Sequence, residues 1–381
     1  GTKSFTSMLY FKYLMAKAGV GEKITKKWKK KNGADPKING ISGKRVAYID
    51  DEYNKGWGVL LSKIFENSGA EFRIYDKFKE YKDREDLITS INDFVDDIDA
   101  DCFLLDLRLH DDDFDKTNGE ISGHKIAAHI KDPKINRARQ VVIFSASDKV
   151  WNMKEEVQII GATDYVLKES PEANFSKIDS LNGFNEFKKA VKKACDLSYL
   201  KDYINFLKGT TFEKSFPLNN YIDLALLNSK NVLNSCVIGL NVFIEDYVED
   251  KFELIDSLNI QKKDGKWKYK IFGLVKLKKD INRDIKEVVC TRTLSESICY
   301  KKIDGWEDAI IDETHRSTKI VGALFYYYGF RNPECNRVLE FRAERNSVAH
   351  EGRSTNFDFE KLKLFFDDII VNIIKKEESE K

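Results

Sequence analysis

"DCFLLDLRL", residues 101–109, decides how the first half of this chain is read. Apolar residues run without interruption from Cys102 to Leu105 and stop at Asp106. Such a run, with no polar alternation, predicts a strand covered on both faces, as in a parallel sheet sandwiched by helices. In a sheet of that kind, functional groups collect at the carboxyl ends of the strands, where Asp106 stands.

Outward from this strand the pattern repeats. "RVAYI" (45–49), "EFRIY" (71–75), "QVVIFSA" (140–146) and "ATDYVL" (162–167) read as strands. Between them, "NKGWGVLLSKIFENSG", "REDLITSINDFVDDI", "SGHKIAAHIKD" and "KVWNMKEEVQIIG" have helical spacing. "GFNEFKKAVKKACDLSYLKDYINFL" (183–207) reads as one long closing helix. Five βα units in succession predict one parallel sheet with helices on both faces. After Gly209 the turn-rich "TTFEKSFPLNN" reads as a linker, and the periodicity beyond it is almost wholly helical. The helical runs are 223–256, 305–329, 333–349 and 358–376. Asn332 with Pro333, and Asp358, suit helix starts. One break, "KKDGKWKYKIF", has an Asp-Gly turn signal and predicts a hairpin. The expected organisation is therefore a basic extension (1–43), an α/β domain (44–208), a linker (209–220) and a helical domain (221–381).

Composition bounds the function classes. The chain has 381 residues, 42% hydrophobic and 33% charged, which suits a multi-domain globular protein. Formal net charge is +1, yet residues 1–43 hold ten lysines against Glu22 and Asp35. The six cysteines are scattered, several inside apolar runs, so buried reduced thiols and a cytoplasmic protein are expected, with no CxxC metal site. No apolar stretch reaches the roughly 18–20 residues of a membrane span.

The strand ends carry chemistry. The first gives "YIDDE", with Asp50 and Asp51; the third gives Asp106; the fourth gives Ser145; the fifth gives Tyr165 and Lys168. Paired carboxylates with a third nearby suit a hard divalent cation such as Mg²⁺. A carboxylate beside Mg²⁺, a lysine and a hydroxyl suits attack on a phosphoryl group. In these residues the segment 44–200 resembles the receiver domain of two-component response regulators, a flavodoxin-like (βα)5 fold. The resemblance implies that Asp106 is the phosphoacceptor. Asp50, Asp51 and Asp106 would hold Mg²⁺ together with the carbonyl of Arg108. Ser145 and Tyr165 would be the switch residues, and Lys168 would contact the phosphoryl group. A histidine kinase or a small phosphodonor would supply that group. Two departures stand out: Glu169 follows the lysine where receivers have proline, and a long acidic insertion, "HDDDFDKTNGEIS", precedes Gly123. The insertion is expected to overhang the site; its acids miss the EF-hand order required for Ca²⁺.

"FRAERNSVAHEG" (341–352) carries a second constellation. Histidine has a pKa suited to proton transfer, and arginine is a fixed charge with a planar donor fork. Arg345, Asn346 and His350 resemble the motif of HEPN domains, helical bundles that usually dimerise and are often metal-independent ribonucleases. The resemblance covers about 220–376 and implies a homodimer and RNA as substrate; the alternative is a non-catalytic domain for dimerisation or partner binding. Arg345 and His350 are five apart, about 140° around an ideal helix, so they meet only if the helix ends before His350 or a second chain completes the site. In the competing structural reading they cap the helix or bond Glu340 or Glu344. Residues 260–302 hold thirteen Lys and Arg against five acids, with aromatics among lysines at Lys266, Trp267, Lys268, Tyr269 and Lys270. That mixture suits single-stranded nucleic acid, as does the basic "KITKKWKKK" near the N-terminus.

Overall fold

The computed structural model describes residues 37–146, 160–168, 177–251, 260–263, 266–269, 275–279, 285–290, 320, 323–324, 327–330, 332–351 and 353–380. Residues 1–36 of the basic extension, most of the helix expected over 149–161, the segment around His315, and Lys270 lie outside them. The chain divides into two compact units, Gly1–Asn205 and Phe206–Lys381.

The first unit is an α/β sandwich. Strands β1 (Arg45–Ile49), β2 (Glu71–Ile74), β3 (Cys102–Leu105), β4 (Val141–Ser145) and β5 (Asp164–Leu167) form one sheet in the order β2-β1-β3-β4-β5. Every pairing is parallel. Helices α1 (Trp57–Ser68), α2 (Arg84–Asp97), α3 (Ser122–Ile130) and α4 (Lys177–Leu197) cover it. Strand alternation sorts the core into two layers. Val46, Tyr48, Leu104, Val142 and Phe144 face Leu61, Ile64, Phe65 of α1 and Phe187, Val191 of α4. Ala47, Ile49, Phe103, Leu105 and Ile143 face Leu87, Ile91 of α2 and Ile126, Ile130 of α3. All four residues of β3 are buried, as expected of its unbroken apolar run. The ends are set locally. Asp83 caps α2 by accepting from the N–H groups of Glu85 and Asp86, and Gly69 closes α1 at φ 71°, a left-handed position that suits glycine.

The closing helix is not one piece. It ends at Leu197, and α5 (Tyr199–Leu207) begins after Ser198. The Ser198 hydroxyl donates to the Cys195 carbonyl (2.9 Å) and accepts from Lys44 Nζ (2.7 Å). A serine that bonds back to the preceding turn competes with helix continuation. Beyond the break, Lys201 Nζ bonds Asp99 (2.6 Å), and Asn136 Nδ2 donates to the Lys201 carbonyl (2.9 Å).

The second unit contains α6 (Phe216–Leu227), α7 (Leu233–Val248), α8 (Asn332–Glu351), α9 (Phe359–Phe365) and α10 (Val371–Ser379), the last two joined by a π-helical turn, Phe366–Ile370. Phe341 stacks on Phe365 with centroids 3.9 Å apart, and Tyr221 stacks on Phe366 at 5.4 Å. Three expectations are corrected. The linker is shorter than 209–220, because Pro217 sits in the first turn of α6 and its fixed φ suits helix entry. The run 223–256 divides at Asn228, which holds φ 46° and caps α6. The unit is also not all-helical: besides the expected hairpin β6–β7 (Ile260–Lys263, Lys266–Tyr269), a second one pairs β8 (Val275–Lys279) with β9 (Ile285–Cys290). "VKLKK" and "IKEVVC" carry β-branched residues in short stretches, which favours strands over helix. Asp358 caps α9 as expected, accepting from Lys361 N–H at 2.9 Å. Among the described residues, no helix is long and apolar enough to cross a membrane. Cys102, Cys195, Cys236 and Cys335 are buried.

Candidate functional site

Parallel pairing brings all five strands' carboxyl ends to one edge, and there the expected residues converge. Asp50 follows β1, Asp106 follows β3, Ser145 ends β4 and Lys168 follows β5. Asp50, Asp51 and Asp106 each offer an oxygen, and these oxygens lie within 4.8 Å of one another. Lys168 Nζ bridges the first and last, at 2.8 Å from Asp50 Oδ2 and 2.6 Å from Asp106 Oδ2. Ser145 Oγ donates to Asp106 Oδ1 at 2.6 Å, and the Leu107 N–H donates to the same oxygen at 2.6 Å. Tyr165, half-buried, donates its hydroxyl to the Ser145 carbonyl at 3.2 Å. Gly123 is required here by close approach: a Cβ would lie 2.5 Å from the Asp106 carbonyl oxygen and from Leu107 Cα. Without it, the start of α3 could not abut the strand end.

The site is strongly electrostatic. Burial alone would lower the Lys168 ammonium, but Asp106 and Asp50 outweigh it and hold it well above the usual lysine range. Burial raises the Asp50 carboxyl, with Lys168 opposing. The Asp51 carboxyl is pushed up to about 7, first by removal from water and then by the charges of Asp106 and Asp50. Three ionised carboxylates against one ammonium leave two negative charges uncompensated. An all-oxygen donor set with excess negative charge and one open side fits a hard divalent cation.

The acidic insertion after β3 is a built loop. Asp113 is fully buried and accepts from Arg84 Nε (2.8 Å), Leu109 N–H (2.9 Å), Ser122 N–H (2.9 Å) and Ser122 Oγ (3.0 Å). Its carboxylate is thereby committed to donors of the loop and to Arg84 of α2. The Arg108 guanidinium lies 5.1 Å from the Phe114 ring centroid, and Phe114 is exposed. Sequence reasoning took the acids of this loop as one group and missed that Asp113 organises it; Arg84, 29 residues earlier, carried no signal.

In the second unit, α8 continues through His350 to Glu351. Arg345 and His350 therefore stand on different faces of one helix, about 140° apart. Arg345 Nη2 lies 3.7 Å from Glu245 Oε2, and its Nη1 donates to Asn346 Oδ1 at 3.1 Å. Arg342, nearly buried, donates to the same Glu245 at 3.0 Å. The acid that engages Arg345 is thus Glu245 of α7, not Glu340 or Glu344; Glu344 instead accepts from the Thr355 hydroxyl at 2.8 Å. Asn346 and His350 are exposed, and their four-residue spacing puts them on one face. Lys266–Tyr269 form β7, antiparallel to β6, with Lys263 opposite Lys266.

The chain matches no protein-family model and no curated protein.

Proposed function

We propose that the first unit is a phosphorylation-controlled receiver in which Asp106 accepts a phosphoryl group from a histidine kinase or a small phosphodonor. The observation that carries this reading is the set of carboxylate oxygens within 4.8 Å at the strand ends, bridged by Lys168. The strand order is the one used by flavodoxin-like sheets, whose sites open at the β1/β3 switch point. Asp50, Asp51 and Asp106, with the Arg108 carbonyl, would hold Mg²⁺, which when bound supplies charge neutralisation for the incoming phosphoryl oxygens. Asp106 is the nucleophile. Lys168 orients it and meets the transferred group's charge. Ser145 Oγ, already on Asp106, is the hydroxyl that turns toward the new anion, with Tyr165 following through the Ser145 carbonyl. Calorimetry of Mg²⁺ and beryllofluoride binding tests this: wild type binds and Asp106→Asn does not. Equal binding by both, or none by either, refutes it.

The second unit we read as a HEPN-like effector whose ribonuclease site is completed by a second chain. What supports this is that Asn346 and His350 share an exposed face while Arg345 is held toward α7 by Glu245. His350 would move a proton and Arg345 would clamp the phosphate. His350→Ala should lower RNA cleavage by ~10²- to 10⁴-fold without changing RNA affinity or folding. A wild type that never cleaves RNA, even with beryllofluoride at Asp106, would leave the non-catalytic alternative: dimerisation or partner binding governed by phosphorylation.

A further inference from the structure

Tyr48 touches the acidic site yet has no part in the chemistry proposed above. Sequence reasoning took it as one apolar position of β1. Its ring is fully buried, stacked on Phe72 of β2 (centroids 6.0 Å, planes 25° apart) and tilted against Phe144 of β4 (6.4 Å). Packing on the adjacent strand β2 and on β4, one strand beyond β3, therefore sets where the hydroxyl lies. That hydroxyl donates to Asp50 Oδ2.

The donors around Asp50 can be counted. A carboxylate has about four lone-pair positions. The Glu52 N–H takes one on Oδ1 at 2.8 Å; Lys168 Nζ, at 2.8 Å, and the Tyr48 hydroxyl take those on Oδ2. One position on Oδ1 is left for a cation. Asp50 is fully buried, so water is not at hand to replace a donor that leaves. Lys168 is the donor that must leave, or at least slacken, because it also holds Asp106 Oδ2 and is drawn toward any anion built there. The Tyr48 hydroxyl cannot follow, because its ring is locked in the core.

We propose that Tyr48 is a positioning residue: it keeps Asp50 Oδ2 hydrogen-bonded, and the carboxylate in one orientation, while Lys168 is handed to the phosphoryl group on Asp106. This rests on the receiver reading. Tyr48→Phe deletes one oxygen and leaves the stacked ring. In calorimetry on the full chain, the variant should bind Mg²⁺ alone within about twofold of wild type, because Lys168 still covers Oδ2. It should bind beryllofluoride in the presence of Mg²⁺ roughly 10- to 100-fold more weakly, the worth of one hydrogen bond to a charged group. Equal beryllofluoride affinities would overturn the inference and leave the receiver reading intact. A parallel loss of both affinities, or a variant that no longer folds, would make Tyr48 a structural residue and overturn it equally. Failure of wild type to bind beryllofluoride would overturn the receiver reading and this inference with it.

Discussion

Arg84→Ala is the most direct test of how the loop beside the site is held. The Arg84 and Asp113 side chains are 8% and 0% exposed, with Nε and Oδ1 2.8 Å apart. Removing one partner of a buried ion pair costs about 3–5 kcal/mol, because the other charge is left without compensation. Asp113 retains four uncharged donors, from Leu109, His110 and Ser122, so the low end applies. We expect a loss of about 3 kcal/mol from the first unit at pH 7, or about 6–12 °C in its midpoint. Urea and thermal unfolding followed by circular dichroism would measure it, with the second unit's transition as internal reference. The pH dependence adds a sign. Burial alone would raise the Asp113 carboxyl, but the Leu109 N–H, Arg84 and the Ser122 donors outweigh it and hold it below the usual carboxylate range. A group with a depressed folded pKa stabilises above its unfolded value, about 4, and loses that contribution as pH falls through the folded value. The gap between wild type and Arg84→Ala should therefore narrow below about pH 4. A loss under about 1 kcal/mol at pH 7, or a gap that widens toward acid, would refute the argument that this pair holds the loop.

Two further substitutions have defined outcomes. In chelator, Asp51→Asn should raise the first unit's midpoint most at pH 8, less at pH 5, and not at all below about pH 4. A carboxyl pushed up to about 7 keeps its proton in the fold while the unfolded chain, with a pKa of about 4, has lost it, so wild type loses stability as pH rises from about 4 to about 7 and no further above that. Mg²⁺ should then stabilise wild type at pH 8 but not the variant; equal gains would remove Asp51 from the cation site. In the second unit, Asn241 is fully buried, and among the described residues neither its Oδ1 nor its Nδ2 has a hydrogen-bond partner. Asn241→Leu should raise that unit's stability by about 1–3 kcal/mol, and a drop in the midpoint would mean that the amide has a partner on which the bundle depends.

By itself the sequence determined the alternation of strands and helices in the first unit and the edge on which its acids gather. The physical reason is that both are local. An apolar run such as Cys102–Leu105 declares its own burial, and parallel strands must end on a common edge, so Asp50, Asp51, Asp106, Ser145 and Lys168 could be grouped without knowing any contact between them. What the tertiary structure alone decided depends on pairs distant in the chain. Tyr48 reads as core until Phe72 and Phe144 lock its ring and Asp50 receives its hydroxyl. Ser198 reads as one more helix residue until Lys44 reaches its hydroxyl from 154 positions away. Arg345 has acids near it in sequence, Glu340 and Glu344, yet its ion pair is with Glu245, because the packing of α8 on α7 brings that carboxylate within 3.7 Å. Periodicity reports which face of an element is buried; which side chain waits on the other side is set only when the elements pack.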